Sequence, residues 1–468
     1  MTEAFTLVET RDVDGAKESL AQLIERAFDH LASAQGERRA LRLEVPIEPV
    51  EPLLWLLAQG NRSRGYWRDR RAGYELAGIG TADVLTGEVQ ADLDALMGRL
   101  HDSIASVHPN LRYFGGMRFN PAQPLEDKWT PFGAYRFVLP RFEVLKRGQQ
   151  TYLACNIVQG EPPEAGLKQR LLDTLETMPF PDGQPIAALP PIRNRRDHPS
   201  REGYESLVTD ALKAIESGTL TKVVLARMAE LSFDAMPDPI AILVRLSQLA
   251  PNAFQFCFQP REDAAFFGAS PERLYKRQDR YVQSESLAGT RGRGATPEDD
   301  ATLAGELMES EKDRHEQRIV TEVIQGVLER HCNAVHAEPE PAVLRLHRCQ
   351  HLQTRLEGIM RGEGSDAALL RDLQPTPAVG GHPREAALAY IAETEPFDRG
   401  WYAGPVGWVS GDAAEFAVGI RSGLVRGEQL YLFAGAGIVE GSEPSAEWRE
   451  TENKLLNILS VLGADDRA

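Results

Sequence analysis

A mixed α and β fold built on antiparallel sheet is what the sequence predicts, and three observations predict it. The stretch 401–454 alternates strand-like apolar runs with Gly-rich turns and closes on a helix-forming segment. The first half interleaves aromatics and glycines, as in RGYWRDRRAGYELAGIG and LRYFGGMRF, the pattern of strands joined by tight turns. Other segments, such as 16–34 and 201–218, repeat apolar residues at helical spacing. With 468 residues and 42% hydrophobic composition, the chain can bury a sizeable core in one large or two ordinary domains.

In order, the helix over 16–34 leads into LRLEVPI, which reads as a strand. PFGAYRFVLPRFEVLKRGQQTYLACNIVQG reads as two or three more, with Arg147-Gly148 as the turn. Between Pro179 and Pro199 the composition shifts to Pro, Arg and Asn, marking a boundary: residues 1–195 read as scaffold and 196–468 as the region that carries chemistry. Tyr204, Leu207, Val208, Ala211, Leu212 and Ile215 then define a helix, and Gly218 stands where a left-handed cap ends it. The next strand, TKVVLARMAELSF, opens on Lys222. Desolvation there favours a neutral amine able to take a proton; the alternative is a lysine snorkelling from a strand end. Glu272 follows a Ser-Pro turn, either as a proton donor aimed into a cleft or as a solvated turn carboxylate. LAGTRGRG lacks the sequence of a phosphate loop, so Gly289 and Thr290 are candidate ligand contacts and Arg291 and Arg293 loop charges.

Acid placement is the most informative irregularity. On a helix over about 303–330, Glu316 shares a stripe with Val320, Val323 and Val327, and Asp313 lies one turn earlier on nearly the same face. Buried acids require a positive partner, which an arginine or a metal ion supplies. Glu447 and Glu450 form a second i, i+3 pair, with Lys454 four residues after Glu450. Two helices with four carboxylates and neither His nor Cys point to magnesium. Between them Gly435, Ala436 and Gly437 let a ligand approach the backbone, and Arg421 offers a planar fork to a carboxylate.

Composition excludes other classes. A net charge of −17 carries no basic footprint for nucleic acid and no attraction to anionic lipid. No apolar run reaches the length of a membrane span, and MTEAFTLVETRDVDGAKE lacks the regions of a signal peptide, so a cytoplasmic protein is expected. Cys155, Cys257, Cys332 and Cys349 are too scattered for a disulfide framework, and the His331–His351 segment offers no CxxC pair for zinc.

KVVLAR, GASPERL, LAGTRGRG, EKDRHE, HLQTRLEG, LQPTPAVGG, WYAGPVGWV, AVGIRSG, AGAGIVEGS and EWRETENK, in that order, resemble the chorismate-utilising enzymes over roughly residues 200–460. The resemblance implies an α/β sandwich in which two large antiparallel sheets face each other with helices outside. It also implies chorismate as substrate, Mg2+ as cofactor, and a single chain acting as a monomer. By the same resemblance Lys222 is the base that activates water and Glu272 the acid that protonates the departing C4 hydroxyl. Glu316 and Glu450 are metal ligands, with Asp313 and Glu447 beside them. Tyr402, Arg421, Gly435, Gly437 and Lys454 hold the substrate, and His351, Gly289 and Thr290 form the pocket wall.

Within the family, anthranilate synthases typically carry Gln where Lys222 stands and take ammonia from an amidotransferase partner. Lys222 implies water and no such partner. Aminodeoxychorismate synthases usually read IKGT where this chain has LAGT, and salicylate synthases resemble PAVTASG where it has PAVGGHP. Isochorismate synthesis is the activity left.

Overall fold

The computed structural model describes residues 9–463 apart from 32–38, 61–62, 91, 105–107, 160–165, 182, 184 and 363. Strand pairing turns on Tyr135–Arg147, which pairs along its length with Tyr74–Gly87. Its other edge forks: 135–138 pair with Tyr113–Met117, whereas 142–147 pair with Gln150–Gln159. Pro140, which has no N–H to give a ladder, lies at the fork.

Two antiparallel arms leave this shared strand. The first runs through Tyr74–Gly87, Arg64–Arg68, Phe254–Arg261, Ala264–Ser270, Ser422–Arg426, Gln429–Ile438 and Lys222–Phe233. The second runs through Tyr113–Met117, Pro405–Val409, Ala413–Val418, Arg273–Gln278, Tyr281–Gly292 and Cys349–Met360. Strands from before and after residue 195 are therefore neighbours in both arms.

Period-2 alternation decides which face each side chain joins. Trp67, Phe256, Phe258 and Phe266 point into a core shared with Tyr275, Trp408 and Phe416 of the second arm. Their chain neighbours Tyr66, Cys257 and Phe267 point the other way, into a second core under Val13–Leu31, Pro52–Ala58, Pro239–Leu249 and Pro444–Leu459. The arms thus face each other across one apolar layer, joined by contacts such as Tyr74 on Trp408, ring centroids 5.9 Å apart. Each fully buried aromatic here contributes roughly 1.5–3 kcal/mol of transfer free energy.

Four expectations change in detail. The first helix is Val13–Leu31, and residues 32–34 of the predicted span lie outside the described residues. The helix over 303–330 is two helices, Pro297–Glu309 and Glu311–His331, because Ser310 leaves the helical region at ψ 112° to cap the second. The Pro-rich boundary contains a strand, Ile192–His198, paired with Lys222–Phe233. Leu287–Gly292 of LAGTRGRG are likewise no loop: they end the strand Tyr281–Gly292, which bulges at Gly289 with φ 68°, and Arg293 and Gly294 follow it outside the strand.

Candidate active site

Twice, side by side, the chain crosses between the arms. Pro271 and Glu272 join Ala264–Ser270 to Arg273–Gln278, and residues 419–421 join Ala413–Val418 to Ser422–Arg426. The crossings are tied together: Val418 N–H donates to Glu272 O and Ala269 N–H to Arg421 O, each at 3.1 Å. Glu272 and Arg421 are thereby fixed on a cleft that also exposes Gly289, Thr290, Glu316, His351, Tyr402, Gly435, Gly437, Glu450 and Lys454. Lys222, Asp313 and Glu447 stand behind its wall.

Lys222 is fully buried at the head of its strand. A short strand, Gly381–His382, pairs with Lys222 and Val223, and a Cβ at Gly381 would strike the Lys222 carbonyl, so only glycine lets the two chains approach this closely. Nearby, Glu395 and Arg399 form a buried ion pair whose Glu395 Oε1 accepts from Ala226 N at 2.7 Å and whose Arg399 Nη2 donates to Val224 O at 2.7 Å. The strand carrying Lys222 is thus locked. Lys222 Nζ forms an ion pair with Glu316 Oε1 at 2.8 Å and has no hydrogen-bond partner among the described residues. A Cβ on Gly437 would collide with Glu316 and reach Lys222 Cε at 3.0 Å, so the missing side chain is what opens the cleft toward the lysine.

Glu272 is buried, and burial followed by the neighbouring Glu285 carboxylate pushes its carboxyl up to about 8, against the pull of Lys222, Lys454 and Arg70. At neutral pH it holds a proton in the cleft. Sequence reasoning missed Glu285, a buried carboxylate between Ser284 and Ser286 in the strand Tyr281–Gly292. Arg70 grips it with two 2.7 Å hydrogen bonds and also donates to Pro271 O at 2.8 Å, fixing the residue before Glu272. This pair borders a larger cavity of about 440 Å³ that none of the predicted site residues lines. Two of its cations have acids, Arg70 on Glu285 and Arg273 on Glu415 at 3.0 Å.

Glu316 corrects one expectation. The buried row of its helix runs Asp313, Gln317, Val320, Ile324 and Val327, and Glu316 sits half-buried at the border, facing the cleft. Every acid of the quartet has its own cation: Glu316 has Lys222, Asp313 has Arg291 at 2.8 Å, Glu447 has Lys312 at 2.9 Å and Glu450 has Lys454 at 2.7 Å. Accordingly, no three His, Cys, Asp or Glu side chains among the described residues are gathered as a metal cluster. Crowding still marks the place. Burial and then Glu450 push Glu447 up, whereas Lys454 holds Glu450 down against its burial. Lys312, also missed, is partly desolvated yet held above its ordinary value by Glu447, Glu316 and Glu450, so one cation already stands among three carboxylates. Such a hard-oxygen set fits magnesium.

The helix Pro444–Leu459 is anchored from behind. The guanidinium of Arg227 lies 3.9 Å from the Trp448 ring centroid and its Nε donates to Thr451 Oγ1 at 2.8 Å, while Arg195 grips Glu452. On the cleft side Lys454 Nζ donates to Gly435 O at 2.7 Å. Tyr402 stacks on Phe433 at 5.1 Å, its hydroxyl pushed up to about 12 by burial. His351 Nδ1 is 2.9 Å from Gly289 O and 3.2 Å from Thr290 Oγ1, tying the wall together. Arg293 is engaged elsewhere, with Asp300.

The model of the chorismate binding enzyme family matches residues 22–463. The chain is 32% identical to the chloroplastic isochorismate synthase of Catharanthus roseus, over 96% of this chain and 84% of that one. It is 36% identical to isochorismate synthase MenF of Bacillus subtilis, over 76% and 75%. The solved structure of MenF, the menaquinone-specific isochorismate synthase of Escherichia coli, superposes with a TM-score of 0.81 at 30% identity, covering 94% of this chain and 98% of that one. An anthranilate synthase component I from Streptococcus pneumoniae, at 20% identity and a TM-score of 0.66, shares the fold. A family model spanning nearly the whole described chain, over a cleft that gathers the expected side chains, places this protein among the chorismate-binding enzymes.

Proposed function

We propose that the chain is an isochorismate synthase that adds water to C2 of chorismate and expels the C4 hydroxyl. The observation that carries this reading is a cleft lined by a buried carboxyl that keeps its proton to about pH 8, Glu272, with a fully buried lysine, Lys222, behind the wall where Gly437 leaves it open. As the water oxygen bonds to C2, Lys222 acts as the base that takes a proton from it. Both ring double bonds shift, the C4–O bond breaks, and Glu272 protonates the leaving oxygen, so one water enters and one departs. Arg421, Tyr402 and Lys454 orient the carboxylates of the substrate. Similarity to isochorismate synthases over most of the chain supports the same activity.

Glu316 and Glu450 would hold magnesium, with Glu447 and Asp313 beside them. Bound there, the ion supplies positive charge for a substrate carboxylate. The protein works without an amidotransferase, since water is the nucleophile. We read it as a cytoplasmic monomer: all four cysteines are free thiols, as a reducing compartment allows, and among the described residues no helix is long and apolar enough to cross a membrane.

The test is incubation with chorismate and Mg2+, with chromatographic assignment of the product and a lactate dehydrogenase couple for pyruvate. Isochorismate should accumulate without pyruvate, EDTA should stop turnover and magnesium restore it. Stoichiometric pyruvate would move the assignment to salicylate synthesis, and full activity in metal-free protein would refute the magnesium site.

A further inference from the structure

Cys349 opens the strand Cys349–Met360 two residues before His351, and period-2 alternation puts both side chains on one face. Its Sγ lies 3.3 Å from His351 Nε2. The other ring nitrogen, Nδ1, is 2.9 Å from Gly289 O, and a carbonyl only accepts. Nδ1 therefore carries a hydrogen, and Nε2 is the ring nitrogen that faces the thiol. On another side of the sulfur stands Arg421, whose Nη2 is 3.6 Å away. A nucleophile, a base within reach, a third group that orients the base and a fixed counter-charge are the parts of an activated thiol.

Cys349 is partly exposed and lines a cavity of about 260 Å³ whose walls include Leu246, Leu249 and Ile458. Arg421 belongs both to this cavity and to the substrate cleft, so the two share a wall.

We propose that Cys349 is a covalent modification site that exchanges with low-molecular-weight disulfides, with His351 as its base and Arg421 as its counter-ion. His351 Nε2 takes the thiol proton. The thiolate sulfur then bonds to one sulfur of the disulfide, the S–S bond breaks, and the other half leaves as a thiolate, so Cys349 is oxidised to a mixed disulfide and half of the reagent is reduced. The adduct removes a negative charge facing Arg421 and adds bulk beside it, which couples the modification to the cleft.

The charged groups around the sulfur agree. Burial alone would push the thiol up, but His351, Arg421 and Lys454 outweigh it and hold it down to about 6, with Arg293 also facing it. The other thiols provide internal controls: burial pushes Cys155 and Cys257 up to about 12, and Cys332 upward.

The experiment treats the full chain with oxidised glutathione, and separately with iodoacetamide across pH 5–9, reading each cysteine by peptide mass spectrometry. Cys349 should carry the glutathione, and at pH 7 should alkylate about tenfold or more faster than any other cysteine. Its alkylation midpoint should lie near pH 6. In His351→Ala the midpoint should climb toward the ordinary thiol value of about 8.5. A glutathione adduct absent from Cys349, even labelling of all four thiols, or a wild-type midpoint in the ordinary range would each overturn the proposal. The wild-type profile decides without any variant and without reference to turnover.

Discussion

Glu272 carries a pH signature that its surface counterparts lack. Its carboxyl rises from an ordinary 4.5 to about 8 in the fold. Between those values the unfolded chain has released the proton and the folded chain still holds it, so the unfolded state binds fewer protons and stability falls as pH rises through the window. Glu272→Gln removes the ionisable group. The melting temperature of this variant should therefore gain on that of the wild type from about pH 5 to about pH 8, and a gap independent of pH would contradict the burial argument. Wild-type turnover should fall above about pH 8, where the acid has lost its proton. At this scale the two central residues were legible because each breaks a local rule: a lysine heads an apolar strand and an acid sits in a sheet-to-sheet turn. Their partners were not. Lys312 meets Glu447 from 135 positions away and Arg70 meets Glu285 from 215, separations at which no local pattern operates.

Elements bring these residues together, and the two acid-bearing helices do so by different devices. Glu311–His331 starts where Ser310 accepts a hydrogen bond from Asp313 N at 3.3 Å, which orients the first turn and with it Asp313 and Glu316. Ser310→Ala should cost about 1 kcal/mol in denaturant unfolding and lower magnesium affinity in calorimetry; unchanged values of both would mean that packing alone sets the turn. Pro444–Leu459 has no side-chain cap and is held by the clamp of Arg227 and Arg195 instead. The pair of acids on this helix was readable from i, i+3 spacing. The break at Ser310 was not, because helix-forming residues on both sides of it mask a single residue that leaves the helical region. A similar limit applies to LAGTRGRG, whose glycines suggest a loop although one of them makes a bulge within a strand.

For the whole molecule, the shared strand Tyr135–Arg147 makes the two arms one structure. Arg64–Arg68 inserts beside Phe254–Arg261, and Tyr113–Met117 beside Pro405–Val409. Residues 196–468 expressed alone would leave these edges and the apolar faces beneath them uncovered. They should give no cooperative thermal transition, and a sharp transition in that fragment would show two independent folding units. Mixed α and β character and the antiparallel sense of the sheets followed from periodicity and turns. The facing of the sheets did not, since strand partners lie up to about 300 residues apart; it entered only through resemblance.

The central claim is that Lys222 and Glu272 act as base and acid on a substrate that other residues bind. The most direct measurement sets chorismate affinity, by calorimetry with magnesium, beside turnover for Lys222→Ala and Glu272→Gln. Both variants should bind chorismate within a few-fold of wild type, while isochorismate formation falls by about 10²- to 10⁴-fold. Near-normal turnover in either variant, or a loss of affinity that accounts for the whole loss of rate, would contradict the assignment.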